Sequence, residues 1–171
     1  NDLPLGDDDF DVTFMRFLLE YVKDKQHTVN EIVRVTKPGG TVLVQDLDGQ
    51  LVWHYPVSDE LTEAIGETVP LLESTGFDPM VGRKLFHFMS VAGLVDIQIQ
   101  SEPYHVIQGT IGDEQKAQWQ LKLDIAKHAL SKLKSPSFAE RTCDLLMKNL
   151  ESPDTFTYSN VFTAIGTVPL T

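Results

Sequence analysis

The chain has 171 residues, 42% of them apolar and 9% aromatic, which is enough for one domain with a packed core. Its net charge of −11 has the wrong sign for coating a phosphate backbone, so we expect no nucleic acid as a partner. No apolar run approaches the roughly 18 residues of a membrane span. Because the single cysteine, Cys143, cannot form an internal disulfide, we expect a soluble protein of the reducing cytoplasm.

Two apolar segments near the N-terminus predict neighbouring strands of a parallel sheet. Phe10–Met15 is a short run typical of a strand buried on both faces, and Thr41–Leu47 is a second such strand. Between them, Phe17–Lys23 is predicted to turn helical. A helix with Thr28 as its N-cap should then end at Lys37–Gly40. A strand–helix–strand crossover of this kind is the unit of a parallel α/β sheet.

The middle of the chain predicts two helices and one half-polar strand. The first helix covers about Asp59–Ser74, and Asp78 with Pro79 opens a second helix that Gly93 closes. The next segment, Val95–Gln100, alternates strictly between apolar and polar residues. Its apolar side consists of Val95, Ile97 and Ile99. A strand with one wet face is typical of a sheet edge or of an antiparallel pair.

The last third of the chain predicts a helical hairpin followed by a strand. Residues 113–150 carry an apolar stripe at helical spacing, and Ser135 with Pro136 restarts the chain inside that block. Thr157–Thr167 is predicted to be the final strand. We therefore expect one domain, 1–171, in which 113–150 is a helical insertion that could act as a lid.

Local catalytic signatures are missing from the sequence. None of the 11 glycines forms a Gly-x-Gly, so there is neither a dinucleotide fingerprint nor a phosphate loop. The five histidines show no His-x-x-x-His spacing, and we expect no metal site. There is also no Gly-x-Ser-x-Gly elbow. These results count against a hydrolase or a metalloenzyme.

An ordered series of segments carries a family resemblance. FDVTFMRFLLEYV and the following EIVRVTKPGGTVLVQDLD resemble the fourth strand, its helix and the fifth strand of class I S-adenosylmethionine-dependent methyltransferases. GRKLFHFMSVAGLVDIQIQ resembles the last helix and reversed penultimate strand of that family, and NVFTAIGTV its final antiparallel strand. The resemblance implies an α/β fold with an incomplete Rossmann-like methyltransferase sheet. The implied strand order is 4-5-7-6, with the last two strands antiparallel and a helical insertion.

The resemblance also implies S-adenosyl-L-methionine as cofactor and points to the residues that would line its site. Met15, Arg16 and Phe17 follow directly on the first strand, where such folds bind ligands. Tyr21 stands where the family often has His, and Leu3 matches an apolar residue near adenine. Phe17 and Leu3 could equally be ordinary core residues.

Contacts to the substrate are expected after the next strand. Asp48, Trp53, His54 and Tyr55 lie there, and the Trp-His-Tyr run could form an aromatic wall with His54 as a candidate base. Alternatively, Trp53 and Tyr55 pack under the helices of 113–150 while His54 faces water. Methyl transfer needs a base only when the accepting atom must lose a proton, so the catalytic residue stays unassigned.

The start of the chain suggests a C-terminal portion of such an enzyme. The Gly-rich turn of the family and the acidic residues of its second and third strands would all lie before Asn1. We therefore expect methyl transfer to a small-molecule acceptor, with this chain not binding the cofactor fully alone. The alternative is a non-catalytic α/β interaction module that keeps half of the scaffold. In both cases the Phe10–Met15 strand has an unpaired edge, which favours a homodimer or another association through that edge.

Overall fold

The computed structural model describes residues 2–170, except for the side chain of Leu51. The chain divides into two compact units. The first contains the described residues up to Gln50, Gly76–Tyr104 and those from Asn160 onward. The second contains Leu51–Thr75 and His105–Ser159, and so includes the whole predicted insertion.

The described strands form one four-stranded sheet. They are β1 (Phe10–Arg16), β2 (Thr36–Tyr55), β3 (Val95–Gln108) and β4 (Phe156–Thr167). The order β1-β2-β4-β3 confirms the predicted 4-5-7-6 order. β1 and β2 are parallel, with Val12 opposite Thr41 and Arg16 opposite Gln45. The predicted strand–helix–strand crossover is therefore correct, and it leaves β1 as the end strand of the described sheet.

The prediction that β1 is buried on both faces is wrong. Met15 is 5% exposed, but Val12 and Phe14 on the opposite face are 63% and 60% exposed. On the same face as Met15, its partner Val44 and the neighbouring Val42 of β2 are fully buried. An apolar strand buries a face only where another element packs on it, and β1 has such an element on one side.

The helix α1 (Lys25–Arg34) begins and ends earlier than predicted. Its N-cap is Asp24, whose carboxylate accepts a hydrogen bond from the backbone N–H of His27 at 2.9 Å, so Thr28 lies inside the helix. The predicted helical segment Phe17–Lys23 contains only a short 3₁₀ turn over Leu19–Tyr21. Lys37–Gly40, the predicted helix stop, lies within β2.

The core of the first unit lies between α1, β2 and the helix α3 (Leu85–Val91). Its residues are Met15, Leu19, Val29, Ile32, Val42, Val44, Val81, Leu85, Met89, Leu94 and Ala164. Gly93 ends the α3 segment with a φ of 84°, as the sequence predicted, but the helix begins at Leu85 and not at the predicted Asp78 and Pro79. The predicted apolar side of β3 is only partly correct, because Ile97 packs on this core while Val95 and Ile99 are 44% and 40% exposed.

The second unit is mainly helical. Its helices are α2 (Asp59–Thr75), α4 (Asp113–Leu133) and α5 (Pro136–Leu150), and α4 and α5 form the predicted hairpin. Ser135 caps α5 by accepting a hydrogen bond from the backbone N–H of Phe138 at 3.2 Å. The buried residues of this core are Leu61, Ile107, Ile111, Trp119, Leu123, Cys143, Leu146 and Leu150. Among residues 2–170, none of the helices is both long and apolar enough to cross a membrane.

Candidate functional site

A groove of about 420 Å³ lies at the carboxyl end of β1. It is lined by Leu3, Phe14, Met15, Arg16, Phe17, Leu18, Thr28, Glu31 and Ile32. Four of the five residues predicted to line a cofactor site, Leu3, Met15, Arg16 and Phe17, are thus brought together. The volume is within the range of small-molecule pockets, roughly 300–1,000 Å³.

The backbone at Phe17 is strained. Its φ of 51° lies in the left-handed region, which a bulky residue rarely adopts. The Phe17 N–H donates to the carbonyl of Gln45 at 2.9 Å, which ties this residue to β2. The guanidinium of Arg16 lies 4.4 Å from the centre of the Phe17 ring, and the Tyr104 ring lies 5.8 Å from it. Strain that neighbouring contacts maintain is common at ligand sites.

Asp46 holds the turn that follows Phe17. Its carboxylate is fully buried and accepts hydrogen bonds from the backbone N–H groups of Leu19 at 2.8 Å, Glu20 at 3.4 Å and Leu47 at 2.9 Å. Burial raises the pKa of Asp46, while these backbone hydrogen bonds oppose the rise. The sequence alone does not show that the Asp46 carboxylate binds backbone rather than a ligand.

The fifth predicted cofactor residue, Tyr21, lies outside the residues that line the groove. It is 60% exposed, and its ring packs 5.4 Å from that of Phe77. Desolvation, followed by the negative charges of Glu20 and Asp46, raises the pKa of Tyr21 to about 12. Tyr21 therefore keeps its phenolic proton at neutral pH and could not act there as a base.

Asp48, a predicted substrate residue, is paired with Arg83. The carboxylate of Asp48 is buried and accepts from Arg83 Nε at 2.8 Å, from Nη2 at 2.6 Å and from the Arg83 backbone N–H at 2.9 Å. The pair raises the pKa of Arg83. This geometry fixes the start of the segment before α3, and it engages both carboxylate oxygens of Asp48.

In the second unit, the Trp-His-Tyr run occupies the end of β2. Because side chains alternate along a strand, Trp53 and Tyr55 belong to one face of β2 and His54 to the other. His54 Nδ1 lies 2.8 Å from the hydroxyl of Thr157, and Tyr55 is 78% exposed. The three side chains therefore do not form one continuous wall with His54 at its centre.

His105, a second histidine of this unit, has a more constrained environment. Its Nε2 lies 2.8 Å from the ammonium of Lys122, its Nδ1 3.1 Å from the hydroxyl of Ser159, and its ring 5.5 Å from that of Trp119. Since an ammonium can only donate, Nε2 accepts and Nδ1 carries the proton. Burial, followed by the charge of Lys122, lowers the pKa of His105 to about 4, so the ring is neutral at pH 7.

Within residues 2–170, no three side chains of His, Cys, Asp or Glu are grouped so that they could hold a metal ion. Cys143 is buried, and burial raises the pKa of its thiol. The groove at the end of β1 is the candidate site in which the residues predicted from the sequence meet.

Comparison with known proteins bears on the first unit most directly. Residues 1–44 match a family model described as a methyltransferase domain. Sterol 4-C-methyltransferase strm-1 of Caenorhabditis elegans is 28% identical over 131 residues, which cover 64% of this chain. The chain spans 39% of the length of that relative.

Two further proteins match this chain, one over a short segment and one over nearly its whole length. The small ribosomal subunit protein uS8 of Geotalea daltonii is 54% identical over 35 residues, only 20% of this chain. A solved structure from Bacillus halodurans, provisionally assigned as a methyltransferase, covers 98% of this chain and 68% of its own, with 11% identity and a TM-score of 0.53. The structural match supports the fold, and the family model supports the resemblance seen in the sequence.

Proposed function

We propose that the chain is related to the class I S-adenosylmethionine-dependent methyltransferases and takes part in methyl transfer to a small-molecule acceptor, a proposal supported by the family model over residues 1–44 and by the sterol methyltransferase. Its contribution is the 4-5-7-6 part of the sheet and the side of the cofactor site formed at the end of β1. The observation that carries this proposal is the meeting of Leu3, Met15, Arg16 and Phe17 around one groove.

The side chains around the groove suit S-adenosyl-L-methionine, the cofactor of the family. Leu3 and Ile32 offer apolar surface and Phe17 an aromatic ring for the nucleoside, while Arg16 offers a cation for the carboxylate of the amino-acid part. The cofactor supplies a methyl group already activated on a sulfonium. The protein then needs mainly to position donor and acceptor, an effect that can amount to effective molarities of about 10⁵ M.

The acceptor is proposed to be small and apolar. The sterol methyltransferase among the relatives supports a lipid-like acceptor, and the net charge of −11 argues against nucleic acid. A cytoplasmic location, which the single cysteine favours, is part of the same proposal. Because the sequence lacks the Gly-x-Gly turn, we expect this chain to bind the cofactor weakly by itself.

Titration of the ¹⁵N-labelled chain with S-adenosylhomocysteine, followed by NMR, tests the proposal and detects weak binding. We expect shifts at Leu3 and Met15–Leu18, with a Kd on the order of 1 mM. Phe17→Ala should abolish them. Phe86→Ala, which removes an exposed aromatic ring from α3, should leave them unchanged. Shifts that map to other residues would contradict the proposal. So would the absence of shifts at a ligand concentration 10-fold above the expected Kd.

A non-catalytic interaction module is the second candidate, favoured by the exposed face of β1. Phe10, Val12 and Phe14 together present apolar side chains to solvent beside an end strand. A module of this kind would associate through β1 and show no response to S-adenosylhomocysteine. The same titration therefore separates the two functions.

A further inference from the structure

One face of α1 holds the segment of residues 2–7, which we call the arm. His27, Glu31 and Arg34 are spaced at i, i+4 and i+7, so they lie on one side of the helix. His27 Nε2 lies 3.2 Å from the carboxylate of Asp2 at the start of the arm. Glu31 and Arg34 bind the rest of it, including the backbone of Leu3, whose side chain lines the groove.

Arg34 uses all five of its N–H donors in this arrangement. Nε donates to Glu31 Oε1 at 2.7 Å, and Nη2 donates to Glu31 Oε2 at 2.9 Å and to the Leu3 carbonyl at 3.2 Å. Nη1 donates to the Leu5 carbonyl at 3.0 Å and to the carboxylate of Asp7. A lysine could not reproduce this planar, multiply bonded geometry.

Glu31 connects the arm to the groove. Its Oε2 accepts from the Leu3 backbone N–H at 2.7 Å, and the residue is only 8% exposed while lining the groove. The hydrogen bonds from Arg34, followed by that from Leu3, lower the pKa of Glu31 to about 2. Both partners of the ion pair are therefore charged throughout the neutral range.

We propose that Glu31 and Arg34 are a positioning pair that holds Leu3 against the groove and thereby sets the affinity for the nucleoside part of the cofactor. The inference rests on the proposed function and adds two residues to it. Neither residue needs to touch the ligand through the contacts described above. They act by fixing the backbone of the arm. Glu31 binds the amide of Leu3, and Arg34 binds the carbonyls of Leu3 and Leu5.

The test compares Arg34→Gln with Lys37→Gln in the 171-residue chain. Both remove one positive charge, and Lys37 pairs with the exposed Asp11. Arg34→Gln should weaken binding of S-adenosylhomocysteine and of adenosine by roughly tenfold, the effect of about one charge-assisted hydrogen bond. It should also speed hydrogen exchange of the Leu3 and Leu5 amides, while the Val44 amide in the core stays protected.

A double-mutant cycle with Leu3→Ala separates positioning from general stability. If Arg34 acts by holding Leu3, the combined variant should bind no more weakly than Arg34→Gln alone. Additive losses, or exchange that accelerates equally at Val44, would overturn the inference. If Arg34→Gln leaves the affinity for S-adenosylhomocysteine unchanged while Leu3→Ala lowers it, the positioning role of Arg34 is refuted and the proposed function stands. If the unmodified chain does not bind S-adenosylhomocysteine, both the inference and the proposed function are refuted.

Discussion

Replacing Asp46 by Ala should destabilise the first unit strongly. The carboxylate accepts two short hydrogen bonds, from the N–H groups of Leu19 at 2.8 Å and Leu47 at 2.9 Å, and a longer one from Glu20 at 3.4 Å. Each good bond to a charged group contributes about 1.5–3 kcal/mol. Part of that is offset by the cost of burying the charge, so we expect a net loss of about 3 kcal/mol for Asp46→Ala and about 1–2 kcal/mol for Asp46→Asn.

The pH dependence of Asp46 gives a second check on the same reasoning. Its folded-state pKa is raised above 3.8, so the folded protein binds this proton more tightly than the unfolded chain. Relative to the protonated acid, the ionised carboxylate is therefore less stabilising at pH 7, and this difference is relieved as the pH falls through the folded-state pKa towards 3.8. Since asparagine does not titrate, the stability gap between wild type and Asp46→Asn should widen as the pH falls.

Urea unfolding followed by circular dichroism measures these changes as shifts of the midpoint at constant m-value. Asp144→Ala, which removes an exposed carboxylate from α5, is the control and should change stability by less than about 0.5 kcal/mol. A loss below about 1 kcal/mol for Asp46→Ala would show that the buried carboxylate does not hold the turn after Phe17.

Three other predictions concern β1 and the second unit. Because the pKa of His105 falls from 6.5 to about 4 on folding, this residue should contribute a loss of about 2 kcal/mol in the stability of wild type between pH 6.5 and pH 4. This figure is smaller than the full pKa shift implies because the ring is only half-buried. In urea unfolding, His105→Gln should remove this contribution to the pH dependence, whereas His128→Gln should leave it in place. Sedimentation should show that the chain associates and that Val12→Lys, on the open face of β1, weakens the association; a monomeric wild type would contradict this. Leu150→Ala should cost about 2–5 kcal/mol by urea unfolding, because Leu150 is fully buried, and a cost below about 1 kcal/mol would refute its packing.

The strands could be predicted from their apolar and polar patterns, whereas their order in the sheet was predicted from the family resemblance. Thr41–Leu47 contains the apolar run Val42–Val44, as expected of an interior strand, and the structure buries Val42 and Val44 fully on one of its faces. The exposure of Val12 and Phe14 could not be predicted from the sequence pattern of their strand. An apolar pattern shows what a strand can bury, whereas burial itself depends on which elements are present to cover it.

The residues around the groove were predicted in part because ligands bind beyond the carboxyl ends of parallel strands. That rule points to Met15–Phe17 without any structure. It does not reveal Glu31 and Arg34, because an i, i+3 pair of opposite charges looks like an ordinary exposed helix pair. Their backbone partners lie 28 or more residues away in the sequence, at Leu3 and Leu5.

Intermolecular NOEs between S-adenosylhomocysteine and a ¹³C-labelled sample of the chain measure the proposed contact itself. We predict NOEs from the ligand to the methyl groups of Leu3 and to the ring of Phe17. NOEs confined to residues outside the groove, with the ligand at saturation, would contradict a cofactor site at the end of β1.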